Sequence, residues 1–283
     1  KNKIMNFLIP CPICDEKTRL TSFVWFNQKI ISCKICNMFY CPKIIYREID
    51  SNSTPTPDEN LSMLLNTFDE CKIIASEKCK NRIYFYEKLK GSPLKNVMEI
   101  GSGPGICYST FKDNDISWIG LEINRKWLDW GQKQNIPIKN NKISDYKECF
   151  DLIYACQVLE HFENPKDLLK DIINALRPGG LLHFEVPNHN SLISSFRKIS
   201  PIISKDYGCI QPVRHMRAYS YKSMKKLFEI VDMKIKLLSP YPNNHHVWGQ
   251  IRIKQPIINR ISYRLSNVFN LGSLLVGIAQ KNN

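Results

Sequence analysis

The run Asn96-Val-Met-Glu-Ile-Gly-Ser-Gly-Pro-Gly105 is the first place in this chain where residue types and spacing suggest chemistry. A short apolar strand leads into a loop with glycine at 101, 103 and 105. Glycines let the backbone turn tightly and come close to a ligand. A second apolar run, Trp118-Ile-Gly-Leu-Glu122, ends in a carboxylate twenty-one residues after Gly101. A carboxylate at such a strand end can bind the two hydroxyls of a ribose.

The second constellation is made of thiols. Cys11-Pro-Ile-Cys14 and Cys33-Lys-Ile-Cys36 are two C-x2-C pairs with eighteen residues between them. That spacing falls in the window for a tetrahedral zinc site, because two thiolates on one tight knuckle reach the same ion. Asp15 and Asn37 follow the second cysteine of each pair, and both types tolerate the positive φ common there. Residues 21–26 and 29–32 read as a hairpin that returns the second knuckle to the first. Four thiolates leave no open coordination position, so the zinc is expected to be structural and to supply the module's folding energy. The competing reading is four free or redox-active thiols. Cys41 is expected to be a packed thiol.

The elements that must position these groups alternate. Asp151-Leu-Ile-Tyr-Ala-Cys156 is a buried strand, followed by Gln157-Val-Leu-Glu-His161. Residues 165–176 repeat leucine and isoleucine at helical spacing and stop at Arg177-Pro-Gly-Gly180, read as a terminator and turn. Residues 181–187 form one more strand. Strands alternating with helices predict an α/β fold: a seven-stranded, mostly parallel sheet with helices on both faces, plus a small zinc ribbon. The expected organisation is a ribbon over 1–45, a linker and helical lead-in over 46–90, and the main domain over 91–283. Residues 222–231 read as a helix, and 234–238 and 274–280 as late strands.

Together, Met98-Glu-Ile-Gly-Ser-Gly-Pro-Gly105, Glu122, Leu159-Glu-His161 and Leu176-Arg-Pro-Gly-Gly-Leu181 resemble the class I methyltransferases that use S-adenosylmethionine (SAM). The likeness is to the small-molecule branch acting on sugars, lipoquinones and related metabolites. Cys33-Lys-Ile-Cys-Asn-Met-Phe-Tyr-Cys-Pro42 is similar to the four-cysteine element many of these carry, with Asn37 where glycine is usual. The resemblance implies roles by position. Glu99 would face the methionine ammonium of SAM, and Gly101, Ser102, Gly103 and Gly105 would line its amino-acid portion. Glu122 would hold the ribose and Ile123 would touch the adenine. Asp145 would sit by the adenine amino group, and Gln157 would flank the sulfonium. Glutamate at 122 departs mildly from the commoner aspartate. A nicotinamide-dinucleotide site fits less well. Its G-x-G-x-x-G needs the third glycine one residue later, and Pro104 interrupts the phosphate-facing turn.

Methyl transfer is an in-line displacement that needs alignment and, for a hydroxyl acceptor, a base. His161 is the first base candidate, against a role in capping or packing. His215, in Arg214-His-Met-Arg217, is the second, since related enzymes carry a lid histidine there. Arg214 and Arg217 would clamp an anionic group, or belong to a solvated basic loop. Asn243-Asn-His-His-Val-Trp248 is a candidate pocket lining, and Glu185 is expected to be buried at a strand end. Ile257, Ile261, Leu265 and Val268 form an apolar helical stripe with a basic flank, read as core packing, with a lid or peripheral membrane contact as the other reading.

The 283 residues carry a net charge of +14, and the segment 190–283 alone carries +12. That field favours an anionic metabolite, such as a sugar, nucleotide-sugar or glycan precursor, or RNA held by the ribbon and the basic C-terminal third. Phe23, Trp25, Phe26, Phe39 and Tyr40 could stack bases. A fold used only for binding is a third class, disfavoured by the intact glycine loop and Glu122. No apolar run nears the ~20 residues of a membrane span. The eleven cysteines, two of whose pairs have metal-site spacing, suit a reducing cytoplasm.

Overall fold

The computed structural model describes residues 9–25, 28–41, 82–199, 207–210, 215–241 and 272–283. Its ribbon contains β1 (Leu20–Trp25), β2 (Gln28–Cys33) and β3 (Phe39–Tyr40). β1 and β2 pair antiparallel, as the hairpin reading expects. Asp15 and Asn37 both take positive φ, 56° and 58°, and each donates its N–H to the first cysteine of its knuckle.

The main sheet contains β4 (Asn96–Ile100), β5 (Ser117–Leu121), β6 (Ile138–Lys139), β7 (Phe150–Cys156), β8 (Leu176–Pro187), β10 (Met233–Tyr241) and β11 (Leu274–Lys281). A two-residue β9 (Arg217–Ala218) lies outside it. The main order is β10-β11-β8-β7-β4-β5-β6, in which only β11 runs against its neighbours. This is the seven-stranded, mostly parallel, Rossmann-like sheet that the alternation predicts. Strand order reverses between β4 and β7, and ligands bind outside the carboxyl ends at such a reversal.

Helices cover both faces. On one, α1 (residues 82–90) and α2 (Tyr108–Lys112) contribute Ile83, Tyr86 and Phe111 to a core with Val97, Leu152, Tyr154 and Leu181. α3 (Arg125–Lys133) starts at Asn124, whose side chain accepts from Lys126 N. On the other face, α4 (Pro165–Ala175) buries Leu168, Leu169 and Ile172. α5 (Leu192–Arg197) precedes α6 (Tyr221–Ile230), whose Phe228 packs its ring 4.7 Å from that of Phe184. Because α1 buries Ile83 and Tyr86 in the sheet's own core, residues 82–90 act as part of the main fold rather than as a lead-in.

Two local expectations change. Arg177-Pro-Gly-Gly180 is not a free turn, because β8 begins at Leu176 and the four residues form an irregularity within it. Pairing jumps from Phe150↔Leu176 to Leu152↔Leu181. Gly179 takes φ +72°, and a Cβ on Gly180 would lie 2.8 Å from the Arg177 carbonyl oxygen, so both glycines are needed. The ribbon is not a separate module either. β3 pairs with β9, giving a second sheet of order β1-β2-β3-β9 that joins residues 39–40 to 217–218.

Candidate functional site

The glycine loop leaves β4 at the reversal point. Gly101 and Ser102 both donate their N–H to Leu121 O, at 2.8 and 3.2 Å, which ties the loop to the end of β5. Gly101, Gly103 and Gly105 have φ of +67°, +52° and +73°. A Cβ on Gly105 would fall 2.7 Å from Ile136 Cγ2, whereas one on Gly103 would meet nothing within 4 Å. The loop is therefore packed below and open above, as a ligand cradle must be.

Glu122 closes this cradle. Its Oε2 accepts from Gly103 N at 3.0 Å, and its Oε1 accepts from Ile123 N at 2.7 Å and Asn124 N at 2.9 Å. Glutamate, one methylene longer than aspartate, bridges the end of β5 to the loop. Three of about four acceptor positions are occupied, which leaves Oε2 open to a ribose hydroxyl. Ile123 beside it is 88% exposed, a free apolar platform.

Inside the cradle, polar groups lack partners. Glu99 is buried on β4 with Oε2 unbonded, and desolvation pushes its carboxyl up to about 8. Ser102 Oγ and Gln157 Nε2 are likewise buried without a hydrogen bond. Gln157 sits at φ +57°, its N–H donated to Glu185 O at 2.8 Å. Buried polar groups are normally satisfied, so this cluster is a candidate ligand site. Asp145 is exposed in a short 3-10 turn and accepts from Lys142 N at 3.0 Å.

The structure brings both candidate bases together. His161 ends a 3-10 turn after β7, and its ring centroid lies 5.0 Å from that of His215. Beside His215 is a carboxylate to which the sequence reading gave no role. Glu160 is fully buried, neither of its oxygens has a hydrogen bond, and Oε1 is 3.9 Å from His215 Nε2. Burial pushes its carboxyl up to about 8. Only its place beside His161 in Leu159-Glu-His161 could have signalled it. A second buried polar group stands on β8, where Tyr86 OH is 3.0 Å from His183 Nδ1 and His183 Nε2 is 3.3 Å from Glu185 Oε1.

Glu99 and Glu160 bind protons more tightly folded than unfolded. Their stabilising effect is complete below the ordinary value of 4.5 and is lost as pH rises through about 8. Glu160→Gln should therefore flatten the fall in thermal midpoint between pH 5 and 8.5. A fall as steep as the parent's would rule Glu160 out as a source.

The arginine clamp needs correction. Arg214 and residues 243–248 and 257–268 lie outside the described residues. Arg217 is buried. Its guanidinium donates to Cys41 O at 2.8 Å, Met216 O at 3.2 Å and Glu163 O at 2.6 Å, so it locks the ribbon to the main fold and is not offered to a substrate.

All four sulfurs of Cys11, Cys14, Cys33 and Cys36 lie within 4.8 Å of one another, and Cys11–Cys36 and Cys14–Cys33 are each 3.5 Å apart. A zinc tetrahedron with bonds of about 2.3 Å has edges of about 3.8 Å, so the cage fits. Without a cation the thiols cannot ionise together. The neighbouring Cys36 thiol pulls Cys11 down to about 5, while burial pushes Cys14 up to about 12.

With this geometry in hand, comparison with known proteins is informative. A family model described as a methyltransferase domain matches residues 73–235. The ubiquinone biosynthesis O-methyltransferase of Proteus mirabilis (strain HI4320) is 23% identical over 117 residues, 38% of this chain and 48% of that protein. The chain thus spans about half the length of that relative. Malonyl-[acyl-carrier protein] O-methyltransferase 2 of Ilyobacter polytropus is 24% identical over 194 residues, 64% and 70% of the two chains. A SAM-dependent methyltransferase from Archaeoglobus fulgidus shares the fold with a TM-score of 0.50 at 19% identity, covering 73% of this chain and 94% of that one. So does a plantazolicin methyltransferase in complex with SAH, the demethylated form of SAM, with a TM-score of 0.51 at 17% identity and coverage of 80% and 91%.

Proposed function

Because this chain belongs to the methyltransferase domain family, we propose that it moves a methyl group from SAM to an oxygen of a small, anionic acceptor. A sugar, nucleotide-sugar or glycan precursor fits that description. The carrying observation is the Glu122 carboxylate bound to Gly103 N over an open glycine loop, with the unbonded Oε2 of buried Glu99 beneath it. Oxygen as the acceptor atom is supported by the two relatives, both named O-methyltransferases.

When bound, SAM supplies an electrophilic methyl on a sulfonium. The chain's part is to hold and align. Glu122 takes a ribose hydroxyl on Oε2, and Ile123 offers its exposed side chain to the adenine. Asp145 stands near the adenine edge. Glu99 ionises to face the ammonium, and Ser102 and Gln157 use their free polar atoms beside it. His161 and His215 are the groups able to take the proton from an acceptor hydroxyl. The anionic character of the acceptor rests on the +12 charge of residues 190–283.

RNA as the acceptor is the weaker reading. The ribbon aromatics it would use are occupied by packing: Phe23 and Trp25 lie 4.7 and 5.2 Å from the Tyr207 ring, Phe39 lies 3.9 Å from the His189 ring, and Tyr40 is buried. Phe26 lies outside the described residues. Among the described residues, no helix is long and apolar enough to cross a membrane. Zinc in the four-cysteine cage is part of the same proposal, as is a reducing, cytoplasmic setting that keeps such a cage intact.

Affinity for the cofactor should rise with pH. With Glu99 at about 8 in the free protein, only about a tenth is ionised at pH 7, so SAH should bind roughly eightfold more tightly at pH 8.5. Glu99→Gln should weaken binding and remove that slope. Calorimetric titration at the two pH values checks this, and a slope retained in the variant would assign it to another group. Radiolabelled methyl transfer to a panel of phosphorylated and nucleotide-linked sugars, with a mixed RNA alongside, tests the acceptor.

A further inference from the structure

We propose that Glu160 is a positioning residue for His215, and that the four-cysteine ribbon, through the β3–β9 pairing, is what delivers His215 to it. This rests on the methyl-transfer reading only in naming His215 as a base. The placement itself is independent of that reading.

The path is continuous. The second knuckle ends at Asn37, whose carbonyl accepts from Ser220 Oγ at 3.1 Å. Phe39 and Tyr40 then pair with Ala218 and Arg217. Cys41 N donates to Met216 O at 3.0 Å, and Arg217 returns a bond to Cys41 O. Met216 N in turn donates to Glu160 O at 3.1 Å, which sets the adjacent His215 beside the Glu160 carboxylate. Asp15 of the first knuckle adds an ion pair to Lys166 on α4, 2.7 Å long. Among the described residues, these bonds tie residues 215–217 to the ribbon on one side and to Glu160 and Glu163 on the other. His215 keeps about a fifth of its side chain exposed while standing 3.9 Å from the Glu160 carboxylate.

A fully buried carboxylate with no hydrogen bond is costly unless it serves a charge. His215 is the group placed to supply one. Among the described residues, the other titratable groups around Glu160 are engaged elsewhere or silent near neutrality. Tyr219 OH donates to Leu159 O at 3.1 Å. Burial holds the Cys209 thiol at about 12 and the Cys156 thiol well up. Arg217 points at backbone carbonyls, and His161 lies across the His215 ring. Glu160 and His215 therefore hold one proton between them: the buried carboxyl ionises only as the imidazole takes the proton, so the pair keeps the ring basic and aimed.

The test is a long-range 1H–15N titration of the histidines in the full-length, zinc-loaded, SAH-saturated protein. Glu160→Gln should lower the His215 midpoint by about one unit, because a negative neighbour within about 4 Å is lost. Glu160→Asp should restore part of the shift, and the acidic, rising limb of a pH–rate profile should move with it. Arg217→Lys, which leaves all four cysteines in place, should shift the His215 signals toward those of Glu160→Gln, and so should removal of zinc by a chelator. An unchanged His215 midpoint in Glu160→Gln would overturn the pairing. Unchanged His215 signals after zinc removal and in Arg217→Lys would overturn the ribbon's role. A protein that binds no SAH would sink the methyl-transfer reading and leave the histidine titration to be run on the free protein.

Discussion

Cys36→Ser should reduce bound zinc from one equivalent per chain to almost none and collapse the ribbon onto a protease-sensitive state. Cys36 is wholly buried, with its sulfur 3.5 Å from that of Cys11. Serine is a poor zinc ligand, and three thiolates bind zinc far less tightly than four. Structural zinc commonly contributes about 10–16 kcal/mol of apparent binding free energy, far more than a hairpin of two six-residue strands can gain alone. The loss should not stay local, because β3 and Arg217 connect the ribbon to residues 215–218. Methyl transfer is expected to fall by at least about a hundredfold through the displaced His215, while the main sheet, whose other face has a core without ribbon residues, keeps most of its circular dichroism. Metal analysis beside limited proteolysis checks the first part. Full zinc occupancy in the variant would show that Cys36 is not a ligand.

Glu122→Ala should cost about a hundredfold in affinity for SAM, or nearly 3 kcal/mol. Two effects add. The ribose loses its charged acceptor, and Gly103 N, Ile123 N and Asn124 N lose the oxygens they now share. The loop must then be ordered by the ligand itself, which weakens binding further. Glu122→Asp should recover part of the loss, since its shorter arm can hold the β5 end without reaching Gly103. Calorimetry on both variants decides. Equal affinity in Glu122→Ala would remove this carboxylate from the site.

What could be seen in the sequence was what depends on short spacings. Gly101, Gly103 and Gly105 follow an apolar strand directly, and each takes the positive φ that its type suggests. Asp15 and Asn37 do the same in the knuckles. The parallel sheet followed from strands and helices that each complete their pattern within about a dozen residues. The joins between distant segments were not visible. Nothing near Phe39 announces that its strand partner is Ala218, and Arg217 looks like any basic loop residue until the carbonyls of Cys41 and Glu163 close around it. Glu160 stood in a recognised tripeptide, but its role appears only when the chain returns with His215. Arg177-Pro-Gly-Gly180 has the composition of a turn and ends a helix as one should. Its inclusion in β8 is decided by the register with Phe150 and Leu152 on the neighbouring strand.

The most direct test of the central claim is a calorimetric titration of the folded, zinc-loaded protein with SAM. The account predicts one site per chain, saturable, weakened by Glu122→Ala and tightened as pH rises toward 8.5. No heat and no binding in such a sample would contradict it, because the glycine loop, Glu99 and Glu122 would then be a cradle without its ligand.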